Sequence, residues 1–227
     1  CIIKIIHMNY PVSGYLVIAD DLIISPFKIF DFQRHLIWYL PKEEIKTADI
    51  KILKECRLGM CDFYPHWHWW EDYQKQTMSL VRRLKHGRYN TTTLQHCHEH
   101  LFYGNQGEHR INGAYSDIYY IPERHASEFA SLASIFLEEQ VFLEIAIPTL
   151  IRCLENVDDI ELLRGISVWT FDRDKPWKYF NKEKFFGKTY LHPVKWKYLL
   201  EKNPNFVGVY CNSVLPYFHE KYGRLRH

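Results

Sequence analysis

Several features that would narrow the function quickly are missing from this sequence of 227 residues. There is no dense basic run, and the formal net charge is only +2, so nothing indicates nucleic acid as a partner. No apolar run reaches the length of about eighteen residues expected of a membrane span, and no signal peptide is recognisable. Internal repeats and low-complexity segments are also lacking.

Cysteine is present, but not in an informative pattern. The 6 cysteines are spread along the chain with neither zinc-ribbon nor disulfide-framework spacing. This suits a reducing compartment as well as a luminal protein with one or two bridges, so the compartment stays open between cytoplasm and the lumen of the ER or Golgi. The chain also begins within an apolar run and without an initiator Met. A truncated N-terminus is one interpretation, and any membrane association would then come through a segment outside this sequence.

The composition is that of a folded domain. Hydrophobic residues make up 47% of the chain and charged residues 25%, which argues against a disordered tail. The aromatic content is high, with 7 Trp, 16 Tyr and 14 Phe, and such rings serve either as core or as stacking surfaces for sugars and nucleobases. We expect a single domain over residues 1–227, with a catalytic core at about 10–200 and a C-terminal tail at 201–227.

Two adjacent carboxylates follow an apolar segment near the start of the chain. Residues 15–19 form a continuous apolar run after Gly14, which predicts a buried strand in a mostly parallel sheet. Asp20 and Asp21 then stand at the carboxyl end of this strand, where α/β sheets bind ligands. The two charges repel each other unless a cation or strong donors compensate them, which favours a divalent metal site. The alternative is a capped turn with one solvated carboxylate.

The remaining pattern predicts alternating helices and strands. Amphipathic or apolar periodicity predicts helices at 45–56, 70–85, 124–137 and 141–154. In the last of these helices, Pro148 is expected to lie in the first turn. Apolar or alternating runs predict strands at 35–40, 92–103, 115–121 and 165–171. The pair Asn112–Gly113 predicts a turn. The fold class is therefore α/β.

Four features then occur in an order that is more specific than any one of them alone. They are Asp20–Asp21 after a strand, the loop 112–117 before another strand, Glu144 in an apolar segment, and His192 in the sequence Leu-His-Pro-Val-Lys. In this order the chain resembles glycosyltransferases of the GT-A fold. The resemblance implies a Rossmann-like architecture with a single mixed, mostly parallel sheet flanked by helices. That fold places a nucleotide-binding portion before the acidic motif, where this chain has only nineteen residues.

The resemblance also implies roles for individual residues. Asp20, Asp21 and His192 would hold Mn²⁺ or Mg²⁺, which bridges the diphosphate of a nucleotide-sugar donor. Glu144 would be either the catalytic base that deprotonates an acceptor hydroxyl on a glycan, protein or lipid, or a group that orients this hydroxyl. The donor would be bound by Gly113, Ser116, Asp117 and Lys195. Independently of the resemblance, the rings of Trp67, Trp69 and Trp70 could form a platform that contacts the acceptor sugar, with core packing as the alternative.

Two rival sites and two rival functions stay open at this stage. Asp172–Arg173–Asp174 is a literal Asp-x-Asp motif after a predicted strand, with a salt-bridged surface turn as its alternative. On a strand, His96, His98 and His100 would share one face and could bind zinc together with His66 and His68. The chain would then be a metal hydrolase. A non-catalytic carbohydrate- or partner-binding domain of the same fold is the other alternative.

Overall fold

The structure is a computed structural model of the chain. It describes residues 2–40, 46–49, 68–85, 92–103, 110–168, 187–195 and 200–201, together with isolated positions up to 216. Its contacts divide the chain into two compact units, each built from separate stretches of sequence. Unit 1 comprises residues 1–17 and 33–162, and unit 2 comprises residues 18–32 and 163–227. The expected single domain stays a prediction.

The described residues form six α-helices and nine strands. The helices are α1 Ile2–His7, α2 Pro26–Phe30, α3 His68–Lys85, α4 Thr92–Tyr103, α5 Glu123–Glu138 and α6 Leu143–Leu154. The strands are β1 Gly14–Ile18, β2 Ile23–Ile24, β3 Trp38–Tyr39, β4 Lys46–Asp49, β5 Arg110–Gly113, β6 Ile118–Pro122, β7 Glu161–Leu162, β8 Ile166–Ser167 and β9 Tyr190–His192. The chain is therefore mixed α/β, as the sequence predicts.

The strands lie in three sheets rather than one. The largest has the order β1-β6-β3-β7, in which β3 runs antiparallel to β6 and parallel to β7. A second sheet has the order β2-β9-β8, with β9 antiparallel to β2 and parallel to β8. Strands β4 and β5 form an antiparallel pair. The prediction of a single, mostly parallel sheet is wrong for the described residues, because both larger sheets mix the two directions.

The core of unit 1 forms around strand β6. All five of its residues are buried, as expected for an inner strand covered on both faces. Helix α5 packs on this strand, which confirms the predicted helix. Of its predicted apolar face, Phe129, Leu132 and Phe136 are buried and Ala133 is partly exposed. Helix α6 packs in turn against α4, α5 and β5.

Strand β1 is confirmed as a strand but not as a buried one. It lies at the edge of the four-stranded sheet, and Leu16 and Ile18 are exposed. A continuous apolar run is therefore compatible with an edge position here, because β6 and β3 supply the interior of the sheet. Gly14 is required at the start of β1, since a Cβ there would lie 2.3 Å from the Tyr120 hydroxyl oxygen.

Three local predictions are wrong. Residues 92–103 form helix α4 instead of a strand, because the buried residues Leu94, Cys97 and Leu101 recur with helical spacing. Asn112 and Gly113 lie in β5 and not in a turn, since they pair with Thr47 and Lys46 of β4. The same pairing makes 46–49 a strand, where the sequence predicts the start of a helix.

Candidate functional site

Asp21 lies in the turn between β1 and β2, and the pairing of β2 positions it within unit 2. Strand β2 is antiparallel to β9, with Ile23 opposite Leu191. The chain before β2 therefore runs alongside the chain that follows β9. The backbone N–H of Val194 donates a hydrogen bond to the Asp21 carbonyl oxygen at 2.6 Å, which fixes this approach. Residues from the two ends of the sequence meet here.

His192 is held rigidly beside Asp21. It is the last residue of β9, the middle strand of its sheet, and its side chain is only 3% exposed. Its carbonyl accepts a hydrogen bond from the Val168 N–H at 2.8 Å. The imidazole Nε2 lies 3.2 Å from Asp21 Oδ1. Since both its backbone and its ring are enclosed, the ring is fixed toward the carboxylate.

Lys195 completes this cluster. Its ammonium nitrogen donates to Asp21 Oδ2, so each carboxylate oxygen has one nitrogen partner. Burial alone would raise the pKa of Asp21, but the hydrogen bond from Lys195 and the charges of His192 and Lys195 outweigh it. The pKa of Asp21 therefore lies below its usual value, and the carboxylate is ionised at neutral pH. We call Asp21, His192 and Lys195 the Asp21 cluster.

Asp20 differs sharply from its neighbour. Its side chain is exposed, and within the described part of the chain its carboxylate has no hydrogen-bond or ion-pair partner. The structure thus brings Asp21, His192 and Lys195 together but leaves Asp20 outside their contacts. Its assignment as a metal ligand stays a prediction.

A second group of predicted residues meets within unit 1, around Glu144. Glu144 lies in the first turn of α6, next to the loop that joins β5 to β6. The Ala114 N–H donates to the Glu144 carbonyl at 3.0 Å, and Ser116 Oγ donates to the Leu143 carbonyl at 3.2 Å. The loop carrying Ser116 and Asp117, which follows Gly113 at the end of β5, is therefore docked on the start of α6. We call this arrangement the Glu144 cluster.

Pro148 explains why the loop docks at this point. It is the sixth residue of α6 and not, as predicted, part of the first turn. Because proline has no N–H, the carbonyl of the residue four positions earlier, Glu144, has no helical donor. Ala114 supplies that donor instead. Next to Pro148, Thr149 Oγ1 bonds both the N–H and the carbonyl of Asn112, each at 3.2 Å.

Glu144 has an acid–base character opposite to that of Asp21. Its side chain is half-buried, and no cation among the described residues contacts it. Burial first, and the negative charge of Asp117 second, raise the pKa of Glu144 to about 7. A carboxyl group with this pKa exchanges protons near neutral pH, as a general base or acid must.

Ser116 and Asp117 of the Glu144 cluster have contacts that the sequence did not predict. Gly113 and Ser116 are buried, and the Ser116 hydroxyl is engaged with backbone carbonyls of Leu143 and, at 3.5 Å, Ala114. Ser116 therefore positions the loop in this structure. Asp117 acts on Glu144 through its charge. A role for these residues in donor binding stays a prediction.

The other predicted site residues have different outcomes. Trp69 and Trp70 lie in the first turn of α3, and their contact with an acceptor stays a prediction. Asp172, Arg173 and Asp174 lie outside the described residues, as do His66 and Trp67. The zinc site on a strand face is wrong, because His96, His98 and His100 lie on helix α4. At 100° per residue, His98 points away from the side shared by His96 and His100.

Sequence reasoning missed two features near these clusters. One is the link from Ala114 to Glu144, for which the signal was a proline inside an apolar helix, four residues after the carboxylate. The other is the disulfide between Cys97 and Cys153, which joins α4 to α6 across 56 residues of sequence. Nothing in the cysteine spacing indicated this pairing.

Comparison with protein-family models, curated proteins and solved structures finds no match to this chain. None of the described helices has the length and apolar character needed to cross a bilayer. The two clusters are therefore the features that bear on function.

Proposed function

We propose that this protein is a metal-dependent glycosyltransferase with a Rossmann-like GT-A fold. It would transfer a sugar from a nucleotide-diphosphate donor to a hydroxyl of a glycan, protein or lipid acceptor. The observation that carries the proposal is the 3.2 Å approach of His192 Nε2 to Asp21 Oδ1. The early acidic motif and the late histidine, which the resemblance assigns to one metal, are neighbours in unit 2.

The Asp21 cluster has the donors that a divalent cation needs. Asp21 offers an ionised carboxylate oxygen and His192 an imidazole nitrogen, held in place by β9. The nitrogen ligand favours Mn²⁺ over Mg²⁺, which prefers an all-oxygen shell. When bound, the metal would offset the negative charge of the leaving diphosphate. Lys195 would add a positive charge toward the phosphates.

Glu144 supplies the acid–base function in this proposal. With a pKa of about 7, a large fraction of Glu144 is ionised at neutral pH, yet the group is basic enough to accept a proton. The acceptor O–H gives its proton to the Glu144 carboxylate as the oxygen bonds to the anomeric carbon. The bond from that carbon to the diphosphate oxygen breaks, and the nucleotide diphosphate leaves.

The decisive experiment is metal-dependent binding of nucleotide sugars. UDP- and GDP-sugars are titrated calorimetrically with and without Mn²⁺, and transfer is followed as release of the nucleotide diphosphate. Asp21→Asn should abolish Mn²⁺-dependent binding. The matched control is Asp31→Asn, an exposed aspartate in the same unit. Failure of the wild-type protein to bind any nucleotide sugar, or full binding by Asp21→Asn, overturns the proposal.

One observation favours a second function. Lys195 already pairs with the Asp21 carboxylate, so the negative charge of Asp21 is compensated without a metal. A non-catalytic carbohydrate- or partner-binding domain that keeps the fold would retain such a pair for stability alone. In that case glycan binding would be independent of Mn²⁺ and unaffected by Glu144→Gln.

A further inference from the structure

Each oxygen of the Asp21 carboxylate has a nitrogen partner from the protein itself. Oδ1 faces His192 and Oδ2 faces Lys195, so both oxygens already have partners within unit 2. A divalent cation that used Asp21 as a ligand would meet the Lys195 ammonium at the same carboxylate. A cation and the Lys195 ammonium bound to one carboxylate repel each other strongly. Water screens this repulsion incompletely, because the Asp21 side chain is only 19% exposed.

The two nitrogen partners differ in their freedom to move. The His192 side chain is 3% exposed and is fixed by the middle strand of its sheet. Lys195 lies in the chain after β9, and its side chain is 43% exposed. The ammonium is carried on a long, flexible aliphatic chain. Any rearrangement at Asp21 is therefore expected to displace Lys195 and to leave His192 in place.

We propose that Lys195 occupies the cation position at Asp21 in the unloaded protein and leaves it when metal and donor bind together. This inference rests on the proposed function, since it assumes a metal at Asp21 and His192. The displaced ammonium needs a new anionic partner, and the diphosphate of the donor is the group that supplies one. Metal alone would displace Lys195 without that compensation, and nucleotide alone would find the lysine already paired.

The exchange makes binding of metal and binding of nucleotide mutually dependent. Mn²⁺ should bind weakly alone and much more tightly in the presence of a nucleoside diphosphate, and by linkage the converse holds by the same factor. Lysine is thus both a competitor of the metal and a ligand of the diphosphate. A lysine that only contacted phosphate would have no effect on the affinity for Mn²⁺ alone.

The test measures Mn²⁺ affinity with and without nucleotide. Free Mn²⁺ is followed by its electron paramagnetic resonance signal during titration of the whole chain, alone and with UDP or GDP. Lys195→Met should bind Mn²⁺ alone at least about tenfold more tightly than the wild type, because the competing cation is gone. The same variant should show at least about tenfold weaker nucleotide binding at saturating Mn²⁺, so the coupling factor falls toward one.

Control variants separate the possible outcomes. Lys28→Met removes another lysine of unit 2 and should match the wild type, and Lys195→Arg should retain the competition because the positive charge stays. Circular dichroism establishes that each variant is folded, and Lys195→Gln replaces Lys195→Met if that variant is not. Unchanged or weaker affinity of folded Lys195→Met for Mn²⁺ alone overturns the exchange while leaving the proposed function intact. If neither the wild type nor Lys195→Met binds Mn²⁺, with or without nucleotide, the exchange and the proposed function are both overturned.

Discussion

The Asp21 and Glu144 clusters treat a carboxyl group in opposite ways. In unit 2, His192 and Lys195 approach the two oxygens of Asp21 and keep its pKa low despite burial. In unit 1, burial and the charge of Asp117 raise the pKa of Glu144 to about 7. The comparison shows that cationic partners keep one carboxylate ionised, whereas burial beside another negative charge lets the other hold a proton near neutral pH.

The largest expected effect is on turnover when the proton acceptor is removed. Glu144→Gln keeps the shape of the side chain but cannot take a proton, so kcat should fall by about 100-fold or more. Mn²⁺-dependent nucleotide binding should stay at the wild-type level, because Glu144 is not assigned to the donor. Steady-state kinetics and calorimetry measure the two quantities.

The control for that variant is Glu123→Gln, which changes an exposed glutamate of the same unit. It should leave kcat unchanged. If Glu144→Gln retains full turnover, the base lies elsewhere and the contrast between the two clusters has no catalytic meaning.

A second prediction breaks the Asp21 cluster through packing. A Cβ added at Gly165 would lie 2.1 Å from the Tyr190 ring, two residues before His192 in β9. Gly165→Ala should displace this strand and lower the free energy of unfolding by about 1–3 kcal/mol, as overpacking does. Mn²⁺ affinity should fall with it. Gly187→Ala is the matched control, because a Cβ there meets nothing within 4 Å. Equal stability of both variants would show that β9 tolerates the shift.

A third prediction concerns pH and stability. The pKa of Glu144 rises from an ordinary 4.5 to about 7 in the folded protein, so the folded state binds the proton more tightly. Its contribution to stability is therefore complete below pH 4.5 and is lost as the pH rises through 7. Denaturant unfolding should show Glu144→Gln gaining about 2 kcal/mol relative to the wild type between pH 4.5 and pH 8, a value reduced from about 3 kcal/mol because water screens the half-buried side chain. Parallel pH profiles for the two proteins would contradict the raised pKa.

The smallest expected effect concerns Pro148, which leaves the Glu144 carbonyl free to bind the loop. The substitution Pro148→Ala restores a backbone N–H at position 148 of helix α6. This N–H then competes with the Ala114 N–H for the Glu144 carbonyl. The loop carrying Asp117 should loosen, and the pKa of Glu144 should move down toward its ordinary value. Carboxyl NMR titration measures that pKa, while overall stability should change by about 1 kcal/mol or less. Ala133→Ser, a small change on α5, should leave the Glu144 titration unchanged.

Local pattern predicted much of the secondary structure and less of its arrangement. Helices α3, α5 and α6 were predicted because their apolar residues recur with helical spacing over long segments. Helix α4 was missed because its three alternating histidines suggested a strand, although the period of its buried residues is helical. Strand β4 depends on pairing with β5, which no local pattern of 46–49 indicates.

The candidate site divides in the same way. The resemblance predicted that Asp21 and His192 would lie together, which no periodicity implies, and the structure has them in contact. The resemblance did not predict that Lys195 would form an ion pair with Asp21. It also did not predict that Pro148 would leave the Glu144 carbonyl without a helical donor, so that Ala114 in the loop of Asp117 binds it. Both depend on neighbours that are distant in sequence.

By itself, the sequence determined which chemical groups exist, in what order they occur, and that Glu144 lies on a helix and the two aspartates follow a strand. It placed two carboxylates after an apolar strand, one glutamate in an apolar helix, and a histidine and a lysine near the end. Only the tertiary structure decided that Asp21 is the paired carboxylate, that Asp20 is exposed, and that Glu144 is half-buried near another negative charge. The reason is that a pKa depends on burial and on charges a few ångströms away, and these distances are set by packing and not by sequence spacing.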